Sequence, residues 1–271
     1  MIRIRRDCAV CQIERVRYSK CPLVEVAYQL NFPTILSIEA EMPAKFQNEI
    51  RKTFPQYQIQ TEQENEITVN ITGEEINPMF RHRPVRKLHQ FISEDGTWKI
   101  TLAKNQLAIS TLKYEQWEDM MQRFEQPLKA FAKVYDQTYF ERVGLRYVDA
   151  IKRSELGLEG IEWKELIKPH LLGCLAFSQE EVTRVNLNTL RAEIVMDEIS
   201  VRISSGLGIV NTDTEEPDNA FILDCDYYQV GKVDMCKVDE IADKLHQKST
   251  VFFRNSITQK LHEAMKPEEL K

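Results

Sequence analysis

The sequence predicts an α+β protein, mainly antiparallel sheet covered by long amphipathic helices. Three patterns predict it. Short stretches alternate apolar and polar residues, and longer ones repeat apolar residues every third or fourth position. The two kinds do not follow one another as a regular βαβ series would. Strands of a buried parallel sheet would also read as near-continuous apolar runs, whereas these carry one polar face.

The elements can be justified in order. Leu23 to Leu30, after Pro22, is rich in sheet-compatible residues and reads as a strand. Pro43 suits the first turn of a helix; Phe46, Ile50 and Phe54 follow at helical spacing and Pro55 stops it. Glu66 to Ile71 alternates, with Ile67, Val69 and Ile71 on one face and Thr68 and Asn70 on the other. Leu88–Ser93 and Trp98–Leu102 flank the turn Glu94-Asp95-Gly96-Thr97 and form a hairpin, which Gln106–Leu112 extends. From Trp117 to Tyr135 the apolar stripe is helical, and Pro127 inside it predicts a kink or break. Tyr139 to Ile151 is a further strand.

Charge and glycine interrupt the pattern from Arg153 to Gly160. The predicted organisation is therefore an N-terminal arm, 1–21, and two α+β halves, 22–153 and 160–271, either separate or sharing one core. In the second half Trp163, Leu166, Ile167 and Leu171 predict a short helix. Val182–Leu190, Ala192–Ile203 with a turn near Asp197-Glu198, and Phe221–Tyr228 predict strands around a polar loop, Asn211–Asn219. The 28 positions from Val238 to Met265 read as one terminal helix of about 42 Å at 1.5 Å per residue.

Composition bounds the function. The chain has 271 residues, 42% hydrophobic and 29% charged, with only 9 Gly and 10 Pro, which excludes disordered and collagenous classes. The formal charge of −6 opposes phosphate-covered partners unless a local patch overrides it. The candidate patch for nucleic acid is Arg81-His82-Arg83-Pro84-Val85-Arg86-Lys87, with the basic arm from Arg3 to Lys20 as a second. No stretch approaches the roughly 20 apolar residues of a membrane span, and the first residues do not read as a signal peptide. Six dispersed cysteines in a chain large enough to hold a core predict a reducing, cytoplasmic setting.

Four strings taken together, Pro22-Leu23-Val24-Glu25-Val26, Phe54-Pro55, Val143-Gly144-Leu145-Arg146-Tyr147-Val148 and Phe253-Arg254-Asn255-Ser256-Ile257-Thr258, resemble the TIGR04255 family of sporadically distributed prokaryotic proteins. The similarity runs from about Pro22 to Met265. It implies a soluble protein of this size and carries no catalytic residues across. The arm holding Cys8 and Cys11 departs from the family pattern.

Several residues are candidates for chemistry. Asp224 and Asp226 project from the same strand face, where like charges need a cation, an arginine or water between them. They are the metal candidates, with Mg²⁺ as the cofactor. Arg142, Arg146 and Tyr147 are the ligand-binding candidates, either lining an anionic-ligand site with the aspartates or making cross-strand ion pairs. Cys8 and Cys11 have the spacing of a metal knuckle or a redox pair and Cys21 offers a third thiolate, but a structural Zn²⁺ takes four ligands and nothing adjacent completes the set. Cys174, Cys225 and Cys236 read as core or subsurface residues. His246 and His262, 16 positions apart on one helix, cannot share a metal. His82, His89 and His170 are unpaired in sequence. Gly206-Leu207-Gly208 lacks the third glycine and following helix of a dinucleotide site, and no phosphate loop, HExxH or GxSxG motif occurs.

The expected function is a non-enzymatic binding or assembly protein, self-associating or joining a protein partner through the terminal helix or an edge strand. The alternative is a metal-assisted hydrolase or phosphate-ligand enzyme using Asp224 and Asp226, with Arg142 or Arg146 holding substrate charge.

Overall fold

A computed structural model describes residues 16–62, 65–72, 75–82, 86–177, 185, 187–210 and 218–269. Its elements run β1 (Val16–Tyr18), β2 (Leu23–Asn31), the short helices α1 (Leu36–Ala40) and α2 (Ala44–Ile50), then β3 (Gln56–Glu62), β4 (Asn65–Thr72) and β5 (Glu75–His82). The meander β6 (Arg86–Ile92), β7 (Trp98–Ala103) and β8 (Gln106–Thr111) leads to α3 (Trp117–Tyr135), β9 (Tyr139–Lys152) and α4 (Arg153–Leu156). Three 3-10 turns precede β10 (Thr189–Met196), β11 (Ile199–Val210) and β12 (Asp218–Asp234). The last elements are α5 (Val238–Ser256), α6 (Gln259–Ala264) and β13 (Pro267–Glu269).

Nine strands form one antiparallel sheet in the order β10-β11-β12-β9-β2-β8-β7-β6-β3. Next to the central strand β2 lies β9, which pairs with β2 on one side and with β12 on the other, so strands from before and after the 153–160 stretch lie side by side. Two small ribbons stand apart from it, β4 with β5 and β1 with β13.

Register explains the core. Tyr28 lies opposite Ile109 and Leu145, Leu145 opposite Tyr227, and Tyr147 opposite Cys225. All of these are buried, because in-register residues of neighbouring strands share one face. Helix α3 covers this face with Met120, Phe124 and Phe131, and α5 covers it with Ile241 and Leu245. Tyr28 meets Trp117 and Phe124 edge to face. Each such side chain removed from water stabilises the fold by about 1.5–3 kcal/mol. The other face is polar: Gln58, Gln90 and Gln60 hand hydrogen bonds across β3 and β6. The hairpin turn after β6 forms as expected, with Asp95 accepting from Ser93 Oγ and from the Thr97 amide and hydroxyl.

The structure departs from the sequence reading in several places. Pro43 caps α2 from outside its first turn, and α2 ends at Ile50, before Phe54. Pro127 does not break α3, which continues to Tyr135 with the ring buried; packing of Phe124 and Phe131 and the Gln126 side chain on Glu49 O offset the missing donor. Trp163 to Leu171 is a pair of 3-10 turns, because Pro169 holds Lys168 extended. The 28-position helix is two helices. Ile257 is extended and bridges Ile167, Ser256 and Thr258 bond to the backbone around it, and the Thr258 hydroxyl caps α6 by accepting from Leu261 N. β10 begins at Thr189, so of the Val182–Leu190 strand only its last two residues are strand, and 182–184 and 186 lie outside the described residues. The two faces expected of Glu66–Ile71 also concern side chains outside them, as does most of the 211–219 loop.

Candidate functional site

Along β9 the core-facing positions are Val143, Leu145, Tyr147, Asp149 and Ile151, all buried. Four are apolar or aromatic and one is a carboxylate. Asp149 is 5% exposed, with Leu23 of β2 and Leu223 of β12 as its register neighbours. Burial alone lifts its carboxyl to a pKa of about 8, so it is mostly protonated at neutral pH. Among the described residues no hydrogen bond or ion pair reaches it.

Asp149 borders a cavity of about 480 Å³ between the sheet and α5. The floor is Asp149, Tyr147, Leu223, Cys225 and Tyr227. Helix α5 supplies His246, Ser249, Thr250, Phe253 and Arg254. The approach to α3, Tyr114 to Trp117, forms one side, and the β1–β13 ribbon with Ser19 to Leu23 forms another. That ribbon is held by backbone pairing of Val16 with Glu269 and of Tyr18 with Pro267, and by a 2.8 Å hydrogen bond between Tyr18 Oη and His262 Nδ1.

The polar groups in the walls are organised. Tyr147 Oη and His246 Nδ1 share a 2.8 Å hydrogen bond, and the imidazole lies flat on Trp117 at 4.9 Å between ring centroids. Trp117 in turn donates to Asp243 Oδ1 at 2.7 Å. Burial pushes the Tyr147 and Tyr227 phenols well above the usual range and the Cys225 thiol upward, so all three stay neutral near physiological pH. The Tyr18 phenol rises to about 12, also through burial. The arrangement offers aromatic surface, fixed hydroxyls and one buried carboxyl, which is the make-up of a small-molecule pocket.

The aspartates singled out in the sequence lie on the other face. Arg146 clamps Asp224 through Nε–Oδ1 at 2.7 Å and Nη2–Oδ2 at 2.8 Å, and Arg142 Nη2 holds both oxygens of Asp226 at 2.6 and 2.7 Å. Each aspartate is therefore matched by an arginine from the neighbouring strand. The Arg142 guanidinium also lies over the Tyr228 ring, and Gly144 makes room for it: a Cβ there would fall 2.2 Å from Arg142 Nη1. Tyr147 is separated from both arginines, because it points into the cavity while they point away from it.

Other candidates scatter. Cys21 is exposed at the cavity wall, and Cys8 and Cys11 lie outside the described residues. Cys225 is buried as expected, whereas Cys174 and Cys236 are exposed. Among the described residues no group of three His, Cys, Asp or Glu is placed to hold a metal ion. Of the basic patch, Arg86 donates to Asn105 and Gln106 and Lys87 to Glu39 O, while the side chains of Arg81 to Val85 lie outside the described residues. His89 hydrogen-bonds Tyr57 and Ile38 O, and His170 bonds Ser256. Gly206 is a structural glycine, with a Cβ position 1.9 Å from Asn188 O. No helix among the described residues is long and apolar enough to cross a membrane.

Asp149, Tyr114, Trp117 and His246 were missed as a group. Asp149 had a signal: it is the one charged residue in the alternating row from Val143 to Ile151. His246 had none, since its partner is 99 positions away. No family model matches the chain, and no curated protein matches it either.

Proposed function

We propose that this is a binding protein whose ligand is a small molecule held between the sheet and α5. One observation carries the reading: a cavity of about 480 Å³ has in its floor a buried carboxyl with no partner among the described residues, whereas Asp224 and Asp226 on the opposite face are paired. Pockets of this volume, mainly apolar with a few fixed polar groups, are the usual form of a ligand site. The neutral dye Nile red tests it. Its emission should rise and shift to shorter wavelength on titration with the protein, and Thr250→Trp, which fills the chamber from its wall, should weaken binding at least tenfold. A folded Thr250→Trp variant that takes the dye as the native protein does would refute the reading.

Self-association remains part of the proposal, and its best support is the sheet edge. β10 pairs with β11 on one side and with no described strand on the other, and it exposes Val195 at 71%. Such an edge invites a second strand. Light scattering should give a mass that doubles with concentration and stays single after Val195→Lys; a monomer at every concentration would remove this version.

A further inference from the structure

The chemistry of the cavity narrows what it can hold. Among the described residues the carboxyl in its floor is Asp149, set among rings that include Tyr18, Tyr114, Trp117, Tyr147, Tyr227 and Phe253. Nearer the rim, Arg17 lies 3.9 Å from Glu115, and Arg254 on the α5 wall donates to the neutral amide of Gln259 at 2.5 Å. An anionic ligand driven to the floor would meet the carboxyl and no cation. Ca²⁺ or Mg²⁺ takes six or more oxygen ligands, whereas the floor presents rings, and among the described residues no three His, Cys, Asp or Glu converge on an ion. A positively charged nitrogen meets both requirements at once. It supplies the partner that the carboxylate lacks, and its attached carbon skeleton lies against aromatic faces that attract cations.

Resting on the small-molecule reading above, we propose that the cavity takes an organic ammonium ligand, its nitrogen against Asp149 and its ring or alkyl body among Tyr18, Tyr147, Trp117 and Phe253. The hydrogen-bonded Tyr147–His246 pair fixes the ring beside the anchor, so the ligand enters a site already shaped for it.

Isothermal titration of the full chain at pH 8 with benzylamine and with its neutral counterpart benzyl alcohol tests the assignment. In the native protein the amine should bind at least tenfold more tightly than the alcohol. Asp149→Asn keeps the side-chain shape and removes the charge; it should cost the amine at least tenfold and leave the alcohol unchanged, which also shows the chamber intact. Equal affinity of the two probes in the native protein, or an amine affinity that survives Asp149→Asn, overturns the ammonium assignment and leaves the chamber standing. If neither probe binds and Nile red is also excluded, the chamber reading falls, and this proposal falls with it.

Discussion

Two sets of carboxylates lie back to back on the same two strands, and they are treated in opposite ways. On the polar face Asp224 and Asp226 each receive two short bonds from an arginine of β9. On the covered face Asp149, from the same β9, has no partner among the described residues. Asp224 and Asp226 are the pair that attracts notice in the sequence, yet their charge is answered within the sheet. The lone aspartate in the apolar row is the costly one, because an ionised carboxylate away from water and from any cation is strongly disfavoured. A group kept at such a cost is a better pointer to a ligand than a matched pair.

The largest expected effect breaks the contrast at Asp149. Its folded pKa of about 8 lies far above the ordinary carboxyl value of 3.8. A raised folded pKa gives stability that is full below the unfolded value and is lost as pH rises through the folded one. Asp149 should therefore subtract on the order of 3–5 kcal/mol of stability between pH 4 and pH 8, at about 1.36 kcal/mol per unit. Asp149→Asn should lack that loss: Tyr147, Tyr227 and Cys225 are pushed upward and do not ionise there, and the His89, His170 and His262 imidazoles, lowered by burial, titrate in both proteins and cancel in the comparison. Urea melts at pH 5 and pH 9 measure it; parallel pH trends for the two proteins would remove the contrast.

Smaller effects sharpen the other side. Arg142 is 17% exposed and Asp226 26%, so a double-mutant cycle of Arg142→Ala with Asp226→Ala should give a coupling of about 1–3 kcal/mol. The same cycle on Arg146, 44% exposed, and Asp224 should give below about 1 kcal/mol and shrink in 1 M salt. Equal couplings would mean that burial does not set the strength of these pairs.

Much of the sheet was legible. Sheet-favouring residues placed β2, and strand patterning placed β6 to β9 and β12, with the Asp197-Glu198 turn between β10 and β11, because a half-buried antiparallel strand must write its two faces into the chain. Breaks were harder to see. The apolar phase continues through Ile257 and Leu261, so periodicity alone shows one helix; only the Thr258 cap and the distant bridge to Ile167 divide it. The site was half legible. Tyr147 was chosen, but beside Arg146, and consecutive strand residues point to opposite faces. Applying that alternation from Val143 to Ile151 would have moved attention from Asp226 to Asp149. Trp117 and His246 come from elements 129 positions apart, and no local pattern reports that they stack.

The β1–β13 ribbon ties the proposed chamber to a long-range pairing. One wall of the chamber is stitched from Val16–Tyr18 and Pro267–Glu269, segments some 250 positions apart. β9 and β12 pair along the floor independently of that seam's hydrogen bonds. Under the proposal above, a ligand would meet a complete chamber only where Val16–Tyr18 and Pro267–Glu269 have paired, so occupancy would report that seam.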